Sequence, residues 1–224
     1  MALALFDLDD TLLDGDSASL WFAHMVTLGL AEESMLAEEE AMMARYYAGE
    51  LQMEEYMAFT LGPLAGQPVA TIRDHCQHFA REQLLPRLFA EGIARIQWHR
   101  QRGDRLVVIT ATGEHVVRPL MQLLGIDAVI AIELEQQQGH YTGKTRGVLS
   151  FREGKVTRLN QWLESQSQTL EDSFGYSDSI NDLPLLQSVT HAHVVNPSPA
   201  LTPLAHAANW QVLRWQRGSQ TSHE

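Results

Sequence analysis

The chain is poor in several features that would otherwise have set its character. It holds a single cysteine, Cys76, in 224 residues, so no internal disulfide can form and a disulfide-stapled framework is excluded. A lone thiol suits a reducing compartment, and the expected location is the cytoplasm. No run approaches the ~18 consecutive apolar residues of a membrane-spanning helix, and no membrane partner is expected. The first six residues are apolar, but no basic segment precedes them and they run straight into Asp7, Asp9 and Asp10, unlike a secretory signal. Positive charge is scarce: 16 Lys+Arg stand against 28 Asp+Glu, a formal charge of −12. That is the wrong sign for neutralising nucleic-acid phosphates, so no nucleic-acid partner is expected. Lysine is the rarest cation, present only as Lys144 and Lys155.

What is there falls into two textures. Residues 17–83 are rich in Met, Ala, Leu and Glu, with apolar positions such as Met35, Met42, Met43 and Tyr46 at helical spacing. Breaks fall at Gly29, Gly49, Gly62-Pro63 and Pro68, and no strand candidate is visible. The rest of the chain alternates. Strands are expected at 3–8, 105–110, 128–132, 173–177, 193–195 and 210–213, and helices at 88–101, 114–124, 156–165 and 180–187. The polar end, 218–224, is expected to fray. Alternation of this kind implies βαβ units and a mainly parallel sheet. The expected fold is therefore an α/β, doubly wound parallel-sheet core made of 1–16 plus 84–224, with 17–83 inserted as an all-α cap. Ligands of such sheets bind beyond the carboxyl ends of the strands, so residues just past a strand come first.

Asp7 and Asp9 follow the first apolar run, and period two sets them on the same side of the exit loop. Thr110 ends a second strand and is followed by Ala111-Thr112-Gly113 and a helix. Asp178 follows a third, in Ser177-Asp178-Ser179-Ile180-Asn181-Asp182. Asp182 has a second reading, as the acid of a capping box begun by Ser179. Lys155 opens a helix whose apolar positions are Val156, Leu159, Trp162 and Leu163. A cation there opposes the helix dipole by a few tenths of a kcal/mol, roughly, and makes sense beside an anion. Lys144 competes for that role but has no helical pattern after it. Clustered carboxylates need a hard cation such as Mg²⁺, and a metal with a lysine and a hydroxyl suits a phosphoryl group. One free carboxylate can attack phosphorus, and a second can trade protons with the leaving oxygen and with water.

Three other patterns fail. Gly143-Lys144-Thr145 lacks the upstream glycine of a phosphate-binding P-loop, since position 138 is Gln. Gly175-Tyr176-Ser177-Asp178-Ser179 lacks the second glycine of a nucleophile elbow. His191 and His193 belong to no zinc-ligand spacing.

Together, Asp7-Leu8-Asp9-Asp10-Thr11, Thr110, Lys155 and Ser177-Asp178-Ser179-Ile180-Asn181-Asp182 resemble, in order, the four motifs of the haloacid dehalogenase superfamily. The helical insertion after the first motif is similar to that family's helical cap, and the Asp14-Gly15-Asp16-Ser17 continuation resembles the phosphoserine-phosphatase-like branch. The resemblance implies Asp7 as nucleophile, Asp9 as general acid and base, and Thr110 and Lys155 as phosphate ligands. It implies Mg²⁺ held by Asp7, the Asp9 carbonyl and Asp178, with Asp182 nearby or through water. Asp16 stands where phosphoserine phosphatases carry a glutamate. Arg45 is the candidate for their cap arginine, or else an exposed helix residue. The implied activity is hydrolysis of a small phosphate monoester through an aspartyl-phosphate, with amino-alcohol phosphates such as phosphoserine or histidinol phosphate heading the substrates. A phosphomutase or phosphotransferase would use the same residues. A receiver-like signalling module, which is not an enzyme, shares the acidic pair, Thr and Lys, but has no use for a cap.

Overall fold

Residues 2–126 and 128–216 are described in the computed structural model of the chain; the end expected to fray, 218–224, lies outside them. The chain begins with β1 (Leu3–Phe6), every residue of which is buried. Ala4 and Phe6 face one apolar cluster and Leu3 and Leu5 face another. A strand covered on both faces needs an unbroken apolar run, and that is how this one reads.

Four helices follow: α1 (Ser17–Thr27), α2 (Met35–Tyr47), α3 (Met53–Leu61) and α4 (Val69–Phe79). A π-helical turn (Ala80–Leu84) and a 3₁₀ turn (Leu85–Arg87) lead to α5 (Ala90–Arg102). The chain enters and leaves the helical segment through two linkers that lie side by side. Asp14 N donates to Arg87 O and Phe89 N donates to Leu12 O, both at 2.9 Å.

The remainder alternates as β2 (Arg105–Gly113), α6 (Glu114–Leu124), β3 (Ala128–Gln137), β4 (His140–Arg146), α7 (Glu153–Gln166), β5 (Phe174–Ser177), α8 (Leu183–Ser188), β6 (His191–Val195), α9 (Thr202–Ala207) and β7 (Gln211–Leu213). The sheet runs β4-β3-β2-β1-β5-β6-β7. Its neighbours are parallel except β3 and β4. The fold is the expected α/β doubly wound sheet, and β1 sits at its centre, where the order reverses.

Some elements depart from expectation. The strand expected at 128–132 continues to Gln137 and turns back through Gln138 and Gly139, both at positive φ, into β4. Such a two-residue turn needs positive φ at both positions; glycine supplies it freely, whereas Gln138 gives no turn signal. The hairpin tip meets the helical segment: Gly66 N donates to Tyr141 O, Tyr141 N to Gln67 O and Val69 N to Gly139 O. The helix expected at 180–187 is split into a 3₁₀ turn, Ile180–Asp182, and α8. Packing joins the two textures, because Trp21, Phe22, Tyr56 and Phe79 share one apolar cluster with Phe6, Val116 and Leu120.

Candidate active site

The carboxyl ends of β1, β2 and β5 and the start of α7 converge on one cavity of about 490 Å³, within the usual range for small-molecule sites. The loop after β1 is compact. Leu12 N and Leu13 N both donate to Leu8 O, and Asp10 takes φ +53°, a conformation that Asp tolerates better than most residues.

Asp7 N still donates to Tyr176 O at 2.9 Å, extending the sheet ladder one residue past β1. Its carboxylate therefore sits at a rigid strand end. Oδ1 accepts from Lys155 Nζ at 2.7 Å. The same ammonium lies 2.7 Å from both oxygens of Asp182, and Ser177 Oγ donates to Asp182 at 2.7 Å. Burial opposes the Lys155 charge, yet Asp182 and Asp7 outweigh it and raise the ammonium pKa. Burial pushes the Asp7 carboxyl up to about 7, with Lys155 opposing and Asp182 and Asp9 adding to the rise. A buried cation survives only when it is paired this closely. The cost of a cation in the first turn of α7 is offset by two carboxylates. Lys144, by contrast, is exposed on β4 and does not line the cavity.

Asp182 is not the acid of a capping box. Ser179 caps the 3₁₀ turn by accepting from Asn181 N, and Ser179 N donates to Ser177 Oγ.

Asp178 meets Asp7 across Thr11. The Thr11 hydroxyl lies 3.1 Å from Asp7 Oδ2 and 3.2 Å from Asp178 Oδ1, and it accepts from Asp178 N at 3.0 Å. A hydroxyl has one proton, so it cannot satisfy both carboxylates. Burial, then repulsion from Asp7, lifts the Asp178 carboxyl well above its ordinary range. Two hard oxygen ligands pressed together with too few protons between them fit a divalent cation. No three His, Cys, Asp or Glu side chains among the described residues gather closely enough to hold a metal by themselves.

Asp9 is held from two sides. Ser17 N, at the start of α1, donates to Oδ1 at 2.7 Å. Thr112 Oγ1 donates to Oδ2 at 2.8 Å, and Thr110 Oγ1 reaches the same oxygen at 3.3 Å. Thr112 was not singled out from the sequence. Its signal was there: it stands two residues after Thr110 on extended chain, so both hydroxyls point the same way.

Asp16 lines the cavity and also caps α1, accepting from Ser19 N at 2.8 Å. Burial, then the nearby Asp9, pushes its carboxyl up to about 8. Arg45 does not line the cavity, and the expectation that it reaches the substrate is corrected. It forms a two-pronged ion pair with Glu55 at 2.8 and 2.9 Å on the exposed side of the cap helices. Its neighbours Met43, Tyr46 and Tyr47 face the cavity instead, joined by Tyr56 and Phe151.

The family profile for haloacid dehalogenase-like hydrolases matches residues 4–187. A histidinol-phosphatase of Neisseria meningitidis is 36% identical over 222 residues, covering 96% of this chain and 99% of that protein. A crystal structure of a protein of unknown function from Bordetella pertussis is 39% identical, with a TM-score of 0.87 over 95% of this chain and 97% of that one. A phospho-aspartyl intermediate analogue of phosphoserine phosphatase shares the fold, with a TM-score of 0.70 and 18% identity over 96% of this chain and 94% of that one. With the ordered motifs and these likenesses together, the chain belongs to the haloacid dehalogenase-like hydrolase family, in its phosphoserine-phosphatase-like branch, and is a phosphatase.

Proposed function

We propose that this phosphatase is Mg²⁺-dependent and hydrolyses the phosphate ester of a small amino alcohol through an aspartyl-phosphate on Asp7. The observation that carries the reading is the buried ammonium of Lys155, 2.7 Å from Asp7 Oδ1 and locked by Asp182. It fixes one carboxylate at a strand end and leaves a positive charge beside it for the phosphoryl group. Asp7 and Asp178, with the Asp9 carbonyl, would hold Mg²⁺, whose charge offsets that of a phosphate dianion entering an acidic cavity. Asp7 attacks phosphorus as the ester P–O bond breaks, and its electron pair leaves with the alcohol oxygen. Asp9, in its acid form, gives that oxygen a proton. Asp9 then takes a proton from water as the water oxygen attacks phosphorus, and the bond to Asp7 breaks with its electrons returning to the carboxylate. Thr110 and Lys155 bind the phosphoryl oxygens through both steps.

Charge narrows the substrate. Asp7, Asp9, Asp10, Asp16, Asp178 and Asp182 all line the cavity, and among the described residues Lys155 is the only cation in its lining. A second carboxylate on the substrate would find no partner there, with Arg45 turned outward to Glu55. An amino alcohol phosphate without a carboxylate, such as histidinol phosphate, fits better than phosphoserine. The name of the Neisseria relative supports the same preference. The single, buried Cys76 supports a reducing, cytoplasmic setting. No helix among the described residues is long and apolar enough to cross a membrane.

The test is a panel of metabolite phosphates with Mg²⁺ and with chelator, scored for free phosphate. Histidinol phosphate turns over with a higher kcat/KM than phosphoserine, and Asp7→Asn turns over neither. Activity retained by Asp7→Asn would falsify the mechanism, and transfer of phosphate to a second substrate without release would assign a phosphotransferase.

A further inference from the structure

Two threonines stand on one face at the end of β2, and their protons are spent differently. The Thr112 hydroxyl donates to Asp9 Oδ2 at 2.8 Å. It also lies 3.1 Å from Ser17 Oγ. With its own proton committed to the carboxylate, Thr112 can only accept there, so the order is Ser17 O–H to Thr112 O–H to Asp9. The Thr110 hydroxyl stands farther from the same oxygen, at 3.3 Å, and is itself fixed by accepting from Thr112 N at 3.2 Å. The Thr110 bond is therefore the looser of the two and Thr110 does not line the cavity, whereas Thr112 lines it and cannot turn away without stripping Asp9. Ser17 N completes the arrangement from the opposite side, at 2.7 Å from Oδ1. One close bond on each oxygen means that the carboxyl plane cannot rotate without breaking one of them.

We propose that Thr112 is a positioning residue for the proton transfer to the leaving oxygen, clamping the Asp9 carboxyl against the first amide of α1. Thr112 and Ser17 are both buried, so water cannot easily replace either bond. Because Ser17 belongs to the first helix of the insertion, the clamp forms only with that helix seated on the core. The proposal rests on the reading of Asp9 as general acid, and the experiment separates the two.

A general acid matters in proportion to how poor the leaving group is. p-Nitrophenolate departs without a proton, whereas the alkoxide of phosphoethanolamine does not. The measurement is the single-turnover rate of phospho-enzyme formation with each ester, for the unaltered protein, Thr112→Val, Thr112→Ser and Asp9→Asn. Thr112→Val slows the alkyl ester at least about tenfold more than the aryl ester, a fraction of what general acid catalysis supplies, and Thr112→Ser restores the ratio. Thr112→Ala replaces the valine variant if that protein does not fold. Equal slowing of both esters, or slowing of neither, overturns the clamp while leaving Asp9 in its role, provided that Asp9→Asn discriminates between them. If Asp9→Asn itself shows no leaving-group dependence, the reading of Asp9 fails and the clamp falls with it. A purely structural role for Thr112 changes both rates together and leaves their ratio fixed.

Discussion

Lys155 and Asp7 lie 148 residues apart in the chain and 2.7 Å apart in the fold, and neither is stable there alone. Removing one partner of a buried pair leaves an uncompensated charge. Here Lys155 serves two carboxylates. Lys155→Met should therefore lower stability by about 3 kcal/mol and, as a lost charge donor, cut kcat by roughly two orders of magnitude. Lys155→Arg should not rescue it, because a planar fork does not replace a compact ammonium in so closed a site. Thermal melts and steady-state kinetics check both effects, and a Lys155→Met protein that melts with the unaltered one would refute the pairing.

Asp178 should behave in the opposite sense when metal is withheld. Its carboxyl is strained by burial and by Asp7, so Asp178→Asn relieves repulsion and should melt higher in the presence of chelator. The same change removes one of two carboxylate ligands and should raise the Mg²⁺ needed for half-maximal activity by at least about tenfold. A chelator melt and a Mg²⁺ titration on the one variant read both directions. If the variant melts higher under chelator yet needs no more Mg²⁺ than the unaltered protein, the metal assignment is wrong.

Gly154 precedes Lys155 in the first turn of α7. A Cβ there would fall on the Leu149 carbonyl oxygen, a backbone atom that cannot rotate aside. Gly154→Ala should cost about 1–3 kcal/mol, as overpacking does, and should reduce activity by displacing Lys155. Gly62→Ala is the control: nothing lies within 4 Å of its added methyl and its φ is ordinary, so its effect should stay within about 0.5 kcal/mol. Denaturant unfolding of the two variants makes the comparison.

His115 sets a pH dependence away from the carboxylates of the cavity. Both of its ring nitrogens are buried without a hydrogen-bond partner, as is Trp21 Nε1. Burial lowers its pKa from 6.5 to about 3. The folded chain thus favours neutral His115, while the unfolded chain takes up a proton near 6.5. The stability so contributed is fully present above that pH and drains as pH falls toward about 3. By pH 5 the loss should be on the order of 1–2 kcal/mol. His115→Leu should flatten the stability profile between pH 6.5 and 5 by that amount, read by unfolding at each pH. An unchanged slope would show that the ring is solvated.

Much of the site could be read from the sequence because it lies at strand ends. An apolar run that stops in Asp7, Thr110 or Asp178 announces both the strand and the side chain it delivers. Lys155 was legible because it opens an amphipathic helix and had one rival. Arg45 was not, since one residue on a helix turns the side chain by about 100°. Tyr46 faces the cavity and Arg45 faces Glu55, a difference of aim that composition cannot carry. β4 escaped because of its seven residues only Tyr141 is buried, so it has no hydrophobic alternation to show. Thr112 was in view, in Ala111-Thr112-Gly113, but nothing in the sequence set it apart from the turn around it. Only the fold brings the loop bearing Asp9 against it, from 103 positions away.

The paired linkers, Leu12 to Asp14 beside Arg87 to Phe89, give the insertion coincident ends. To the sheet it is topologically a single surface turn, and insertions of that kind can be exchanged as cassettes. This cassette is not neutral cargo. Its first amide, Ser17 N, holds Asp9, and its rim pairs with the β3–β4 hairpin. A graft that replaces this segment must therefore keep the opening residues of α1 in place, or it will release the Asp9 carboxylate that they hold.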